Sequence, residues 1–270
     1  QSAQGALAGK PQQRSGGLRR STATGDVSGR SRCRGGRLIE GLNPQRSTPS
    51  RPTPQRPTVR LVLAVSLDGR SAPPGGGAAE LGGEGDRRAL EQALVWADAC
   101  LIGAGTLRAH QCTCLIRDPQ LLEQRRSEGR AEQPAALVVS HQSAFPQQWR
   151  FFEQPLQRWL LAPKPPSEGF DRWLPLTQSW SDQLEGIGTL GIERLVLLGG
   201  AGLAGDLLQH DAVDELQLTL VPRLLGGTKT WLPCGLASLP AAVTAVDSWR
   251  AMKPEPLGDG EWLLRYQRLR

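Results

Sequence analysis

What the chain lacks narrows its class first. No apolar run approaches the roughly 18–20 residues that cross a bilayer as a helix, and the first residues carry no apolar signal-peptide core. Cysteine is sparse: five in 270 residues, an odd number without dense spacing. That argues against a disulfide scaffold and for a reducing compartment. Histidine is limited to His110, His141 and His210, none of them in an H-x-E or H-E-x-x-H pattern. Cys112-Thr113-Cys114 lies close to His110 but has no second ligand pair at zinc spacing, so it reads as reduced thiols and no metal site is expected. No G-x-S-x-G nucleophile elbow occurs. Eight tryptophans against one tyrosine is unusual, but they are scattered and read as packing residues. The single methionine is Met252, so the sequence as it stands is expected to be processed or truncated ahead of its first residue.

Net charge is +6 and the pI is about 9.5, which by itself would suggest a polyanionic partner. The distribution removes that suggestion. Residues 1–57 hold 11 of the 32 Lys and Arg against only Asp26 and Glu40. The remainder keeps 21 basic and 24 acidic side chains, a net of −3. The leader is rich in Gly, Ser, Gln, Arg and Pro and has no clustered aliphatics, a composition that cannot offset its ordering entropy and is expected to be disordered. It has no aromatic residue for a base to stack on, which argues against nucleic acid as partner. Its Arg- and Ser-rich, acid-poor texture fits a plain leader or a transit peptide. The expected compartment is the cytoplasm, with an organelle as the alternative.

From residue 58 the texture changes, and 58–270 reads as one α/β domain. Short Leu/Val-rich runs at 59–65, 99–104, 135–139 and 194–198 are bounded by Gly or Pro, the mark of strands buried on both faces of a parallel sheet. Helical spacing recurs over 86–97, where Leu90, Ala93, Leu94 and Ala97 share a face and Asp86 is placed to cap the start. Segments 119–128, 180–190 and 202–210 are further helix candidates, the first opened by Asp118-Pro119. The C-terminal third alternates over 215–221, and 242–249 and 261–269 also read as strands. Together these predict antiparallel strands added to the sheet edge. The expectation is about eight strands and four helices.

Three strand ends carry ligand-type sequences. Gly199-Gly200-Ala201-Gly202-Leu203-Ala204-Gly205 follows the 194–198 strand and opens a helix, where backbone can approach a ligand and free N–H groups attract phosphate. Gly200, Gly202 and Gly205 spell G-x-G-x-x-G, yet the next strand ends in Val221-Pro222-Arg223 without the acid that would hold a ribose 2′-hydroxyl. Phosphate binding and a tight strand–helix junction both fit. Gly103-Ala104-Gly105-Thr106 follows the second strand and Ser66-Leu67-Asp68-Gly69 the first. In an open α/β sheet, ligands gather outside the carboxyl ends of strands, so all three face one crevice in this reading.

The segments LVLAVSLDGR (61–70), ADACLIGAGT (97–106), QPAALVVS (133–140) and LVLLGGAGLAGDLLQHDAVDELQLTLVPRLLGG (195–227) resemble, in order, the reductase domain of bacterial riboflavin-biosynthesis proteins. The resemblance implies a dihydrofolate-reductase-like fold: a mostly parallel sheet of about eight strands with flanking helices and antiparallel C-terminal strands. It implies reduction, with NADPH as cofactor, of the ribosyl side chain of 5-amino-6-(5-phosphoribosylamino)uracil to ribityl, a phosphorylated pyrimidine substrate, and a homodimer formed through the sheet edge. Gly103, Thr106, Gly199, Gly200, Ala201, Gly202 and Leu203 would then hold the cofactor, and Ser66, Asp68 and Arg117 would lie at the substrate. No residue is singled out as catalytic. The zinc deaminase that precedes this domain in two-part relatives needs H-x-E and P-C-x-x-C, which are absent, so a reductase alone is expected.

The chain departs from the family at His110, where an acid is usual, at Leu198, where Glu is usual, and at Leu94, where Arg is usual. Ala78 and Glu80 stand where Ser and Trp are usual. These changes keep two alternatives open: a reductase of the same fold acting on a different small molecule, and a non-catalytic nucleotide-binding protein.

Overall fold

The computed structural model describes residues 56–77, 81–236 and 238–270. The basic leader expected over 1–57, apart from Arg56 and Pro57, lies outside the described residues, as do Ala78 and Glu80. The described residues all fall in one compact unit.

Five runs of apolar sequence become central parallel strands: β1 (Thr58–Ser66), β2 (Ala99–Gly103), β3 (Ala135–Val139), β4 (Arg158–Ala162) and, after a short outer strand β5 (Arg172–Pro175), β6 (Arg194–Leu197). β7 (Glu215–Val221) follows, then β8 (Trp249–Ala251), β9 (Glu255–Gly258) and β10 (Glu261–Arg268). Among the described residues these make one ten-stranded sheet in the order β5-β4-β3-β2-β6-β1-β7-β10-β8, with β9 also paired to β10. The expected mostly parallel sheet with antiparallel C-terminal strands is what forms. One detail differs: β7, grouped by its alternation with the antiparallel strands, runs parallel to β1 and antiparallel only to β10.

Burial explains why the strands lack strict alternation. On β2, Ala99 and Leu101 enter one core with Leu61, Leu195 and Leu197, while Cys100 and Ile102 enter a second core with Leu94, Ala136 and Val138. Helices α4 (Trp180–Gly188) and α5 (Ala201–Gln209) supply the first core; α1 (Glu84–Trp96), α2 (Ala104–His110) and the loop after it supply the second. Helix α3 (Pro119–Ser127) starts as its sequence predicts, with Pro119 in the first turn and the Asp118 carboxylate accepting the Gln120 N–H at 2.8 Å.

Three local expectations are corrected. Asp86 does not cap α1: Gly83 is the N-cap, and the buried Glu261 on β10 accepts the N–H groups of Gly83 (2.5 Å) and Asp86 (3.3 Å). The Asp86 carboxyl is instead held above its ordinary pKa by burial and by the neighbouring Glu261. Residues 242–249 are not a strand. Pro240 starts a single helical turn, α6 (Ala241–Thr244), and pairing begins only at Trp249. The run 99–104, read as strand, stops at Gly103, and Ala104 already begins α2.

The C-terminal end of α1 has an unusual cap. Arg125 on α3, 2% exposed, donates through Nη1 to the carbonyls of Leu94 (3.1 Å), Val95 (2.9 Å) and Ala97 (2.7 Å), and through Nε to that of Ala131 (2.7 Å). Arg130 adds bonds to Val95, Trp96 and Ala97 and an ion pair with Asp98 at 2.7 Å. Two guanidinium groups thus satisfy carbonyls that a helix end leaves without partners and face the negative end of its dipole.

Candidate functional site

β2, β6, β1 and β7 are neighbours and all parallel, so their carboxyl ends line one edge of the sheet where the connections diverge. Two glycine junctions meet there. The Gly103 N–H donates to the Gly199 carbonyl at 3.2 Å, and a Cβ placed on Gly200 would stand 2.8 Å from Thr106 Oγ1. Gly199 adopts φ +90°, a conformation that favours glycine, and a Cβ there would lie 3.1 Å from a Leu63 methyl. The Gly199–Gly200 peptide is cis.

Gly200 is the N-cap of α5 and offers no side-chain cap, while its own carbonyl receives the Ala204 N–H at 3.0 Å. The first-turn amides of Ala201, Gly202 and Leu203 therefore open toward the crevice without a protein acceptor among the described residues. Nothing stands within 4 Å of a Cβ built on Gly202, and Leu203 lies 3.8 Å from the equivalent position on Gly103. All seven residues expected to hold a cofactor thus fall in one cradle made by two adjacent strand–helix junctions. The free amides at the start of α5 lie beside Gly103 and Thr106 of the neighbouring junction.

Ser66 and Asp68 lie further out. Leu61 pairs with Leu197, which places Leu63 level with Gly199. Ser66, three residues on, stands about 10 Å beyond the cradle along the strand. Ser66 is fully buried; its Oγ donates to Asp68 Oδ1 at 2.5 Å and accepts the Arg70 N–H at 2.9 Å. Asp68 in turn accepts the amides of Leu225 (3.2 Å) and Gly226 (2.7 Å). The turn after β1 and the loop after β7 are therefore fastened together by one carboxylate, and Leu67 N–H to Arg223 carbonyl at 2.9 Å adds a second tie. Sequence reading quoted the LLGG segment but gave it no role. Its signal was Gly226-Gly227, both at positive φ (+66° and +72°).

The hydroxyl of Ser66, followed by the Gly226 amide, lowers the Asp68 carboxyl from 3.8 to about 2. Because the folded value lies below the unfolded one, this fastening is fully present above about pH 4 and is lost as pH falls toward 2. Amide hydrogen exchange at Leu225 and Gly226 should accelerate over that interval beyond the change at core strand amides. Unaltered relative protection down to pH 2 would show that the carboxylate does not hold the loop.

Arg117 is exposed in the segment joining α2 to α3, and its N–H and that of Asp118 donate to the buried Glu91 carboxylate, each at 3.0 Å. Its backbone is tied to α1 rather than to either glycine junction. Glu91, a buried acid on a helix, was not marked by the sequence, since its partners are 26 and 27 residues away. Of the departures, Leu94 is fully buried in the second core, Leu198 is half-buried against it, and His110 is exposed at the end of α2. Two positions that usually carry charge here serve packing.

The family model described as the RibD C-terminal domain matches residues 57–255. The chain belongs to the RibD C-terminal domain family. The riboflavin biosynthesis protein RibD of Haemophilus influenzae is 27% identical over 212 residues, covering 74% of this chain and 56% of that protein. This chain thus spans little more than half the length of that RibD relative. The 2,5-diamino-6-ribosylamino-4(3H)-pyrimidinone 5′-phosphate reductase of Archaeoglobus fulgidus is 23% identical over 208 residues, covering 73% of the chain and 92% of its own length. RibD of Acinetobacter baumannii has the same fold, with TM-score 0.65 at 21% identity over 80% of this chain and 59% of that one. Among the described residues no helix is long and apolar enough to cross a membrane, and no group of three or more His, Cys, Asp and Glu could hold a metal.

Proposed function

We propose that this RibD-type chain is an NADPH-dependent reductase that converts the ribosyl side chain of 5-amino-6-(5-phosphoribosylamino)uracil to ribityl. The observation that carries the reading is the cradle at Gly103 and Gly199–Leu203, matched by family membership over 57–255. The residues fit a dinucleotide phosphate: three amides at the start of α5 lack acceptors, and the space beside Gly202 holds no side chain. Preference for NADPH over NADH rests on the family and on β7 ending in Val221-Pro222-Arg223, without an acid for a ribose 2′-hydroxyl.

When bound, NADPH supplies a hydride to C1′ of the sugar. The chain's own residues have a positioning task. The amides of Ala201, Gly202 and Leu203, with Thr106 beside them, would hold the phosphates. Ser66 and Asp68 hold the wall formed by residues 223–227 about 10 Å further out along the strand. Arg117, exposed and cationic, is the proposed contact of the substrate phosphate. The proposal includes a homodimer and cytoplasmic location; the four free cysteines among the described residues are compatible with a reducing compartment.

A second substrate is favoured by a specific observation: the archaeal reductase, named for the 2,5-diamino pyrimidinone phosphate, is matched over 92% of its length. Both compounds are therefore offered to the chain with NADPH.

Gly202→Val tests the cradle. The open space at Gly202 lets the variant fold with an unchanged far-ultraviolet spectrum, while a branched side chain among the free amides should raise the Kd for NADPH by about tenfold, the loss of one charge-assisted hydrogen bond. An unaltered Kd would place the cofactor elsewhere.

A further inference from the structure

The amino ends of β2 to β6, at the edge of the sheet opposite the glycine cradle, line an open cavity of about 710 Å³. Its rim is formed where β3, β4 and β5 begin and just before β2 and β6, about 15 Å from the strand ends that bear the glycines. The volume is in the range of small-molecule sites, and the floor is apolar, with Leu156, Trp159 and Ile192.

Charge in the lining is unevenly matched. Its two carboxylates are already engaged: Asp98 pairs with Arg130 and Arg194 (2.7 and 3.2 Å), and Glu132 pairs with Arg126 at 2.9 Å. Arg125 and Arg172 have no carboxylate partner among the described residues. Arg172 lies over the Trp159 ring at 4.5 Å. Arg125 is 2% exposed and spends Nη1 and Nε on neutral carbonyls, while its Nη2 makes no hydrogen bond among the described residues. Arg125 lines the cavity. Burial first, and then Arg130, lower the Arg125 guanidinium to about 10 against the opposing pull of Asp98 and Glu128.

We infer that this cavity binds a small organic anion, a phosphate or carboxylate on an apolar body, with Arg125 Nη2 and Arg172 taking the anionic group and Leu156, Trp159 and Ile192 the body. The site is separate from the reductase crevice and does not depend on that assignment.

Isothermal titration of the full chain with phenyl phosphate and with inorganic phosphate tests it. Phenyl phosphate should bind saturably and more tightly than inorganic phosphate. Arg125→Lys, which keeps a cationic helix cap but removes Nη2, should weaken it by about tenfold, as should Arg172→Gln. Arg172 caps no helix, so its variant reports on binding even where Arg125→Lys folds poorly. Gly202→Val, which alters the other crevice, should leave the titration unchanged. Absence of saturable binding, equal binding by both arginine variants, or loss in Gly202→Val instead would overturn the inference.

Discussion

Gly200→Val should lower kcat/KM by roughly 100-fold, the usual cost of displacing a reacting partner by about 1 Å, with most of the loss in NADPH affinity. A Cβ at this position would stand 2.8 Å from Thr106 Oγ1, closer than such contacts occur, and valine adds two methyls beyond it. Thr106 is β-branched and held on α2, so it can rotate but cannot withdraw. The strain therefore falls on the contact between the two junctions, where Gly103 N–H meets the Gly199 carbonyl. Moving that contact moves the first amides of α5. Fluorescence titration with NADPH and steady-state kinetics measure the effect, and circular dichroism checks the fold. Gly202→Val, which meets open space, should cost less. A smaller loss at Gly200 than at Gly202 would mean that the junction does not shape the cofactor site.

Arg125→Met should lower the melting temperature by about 6–12 °C. Removing a buried charge relieves its desolvation, and apolar replacements of buried ion pairs are often neutral or stabilising. The partners decide the sign here. They are backbone carbonyls, which methionine cannot satisfy. Arg130 still reaches Val95 and Ala97, but the Leu94 and Ala131 carbonyls lose their only described side-chain donor. One buried acceptor and one part-buried one, at up to about 1–3 kcal/mol each, give a loss near 3 kcal/mol after relief of desolvation. Calorimetric unfolding measures it. An unchanged melting temperature would show that Arg130 alone caps α1.

Much of the fold was legible because it is written locally. The cores of β1, β2, β3 and β6 are apolar runs bounded by glycine or charge, and α3 announces itself with Asp118-Pro119. What escaped was set by partners far along the chain. β4 and β5 were missed since Arg158 and Trp159, Arg172 and Trp173 break the aliphatic pattern; their pairing supplies what the sequence conceals. The 242–249 segment is rich in Ala and Val and reads as strand, yet Pro240 turns the chain into α6.

The candidate site divides in the same way. The glycine cradle could be read from two short motifs, because amide exposure and absent side chains are properties of glycine and of helix starts. Asp68 could not be read fully. Its acceptor role toward Leu225 and Gly226 spans 157 and 158 residues, so no local pattern marks the loop that both its oxygens hold. Glu261, which caps α1 from 178 and 175 residues away, is the same case. Leu94 and Leu198 were visible as departures, and their burial shows what replaced charge: packing against the second core.

The account stands on one assay. The purified full chain is mixed with NADPH and 5-amino-6-(5-phosphoribosylamino)uracil, or the 2,5-diamino pyrimidinone phosphate, and NADPH absorbance is followed. The account predicts a decline that requires enzyme and pyrimidine together, with NADPH binding in the absence of pyrimidine. No NADPH binding, or binding with no oxidation by either pyrimidine, would contradict it.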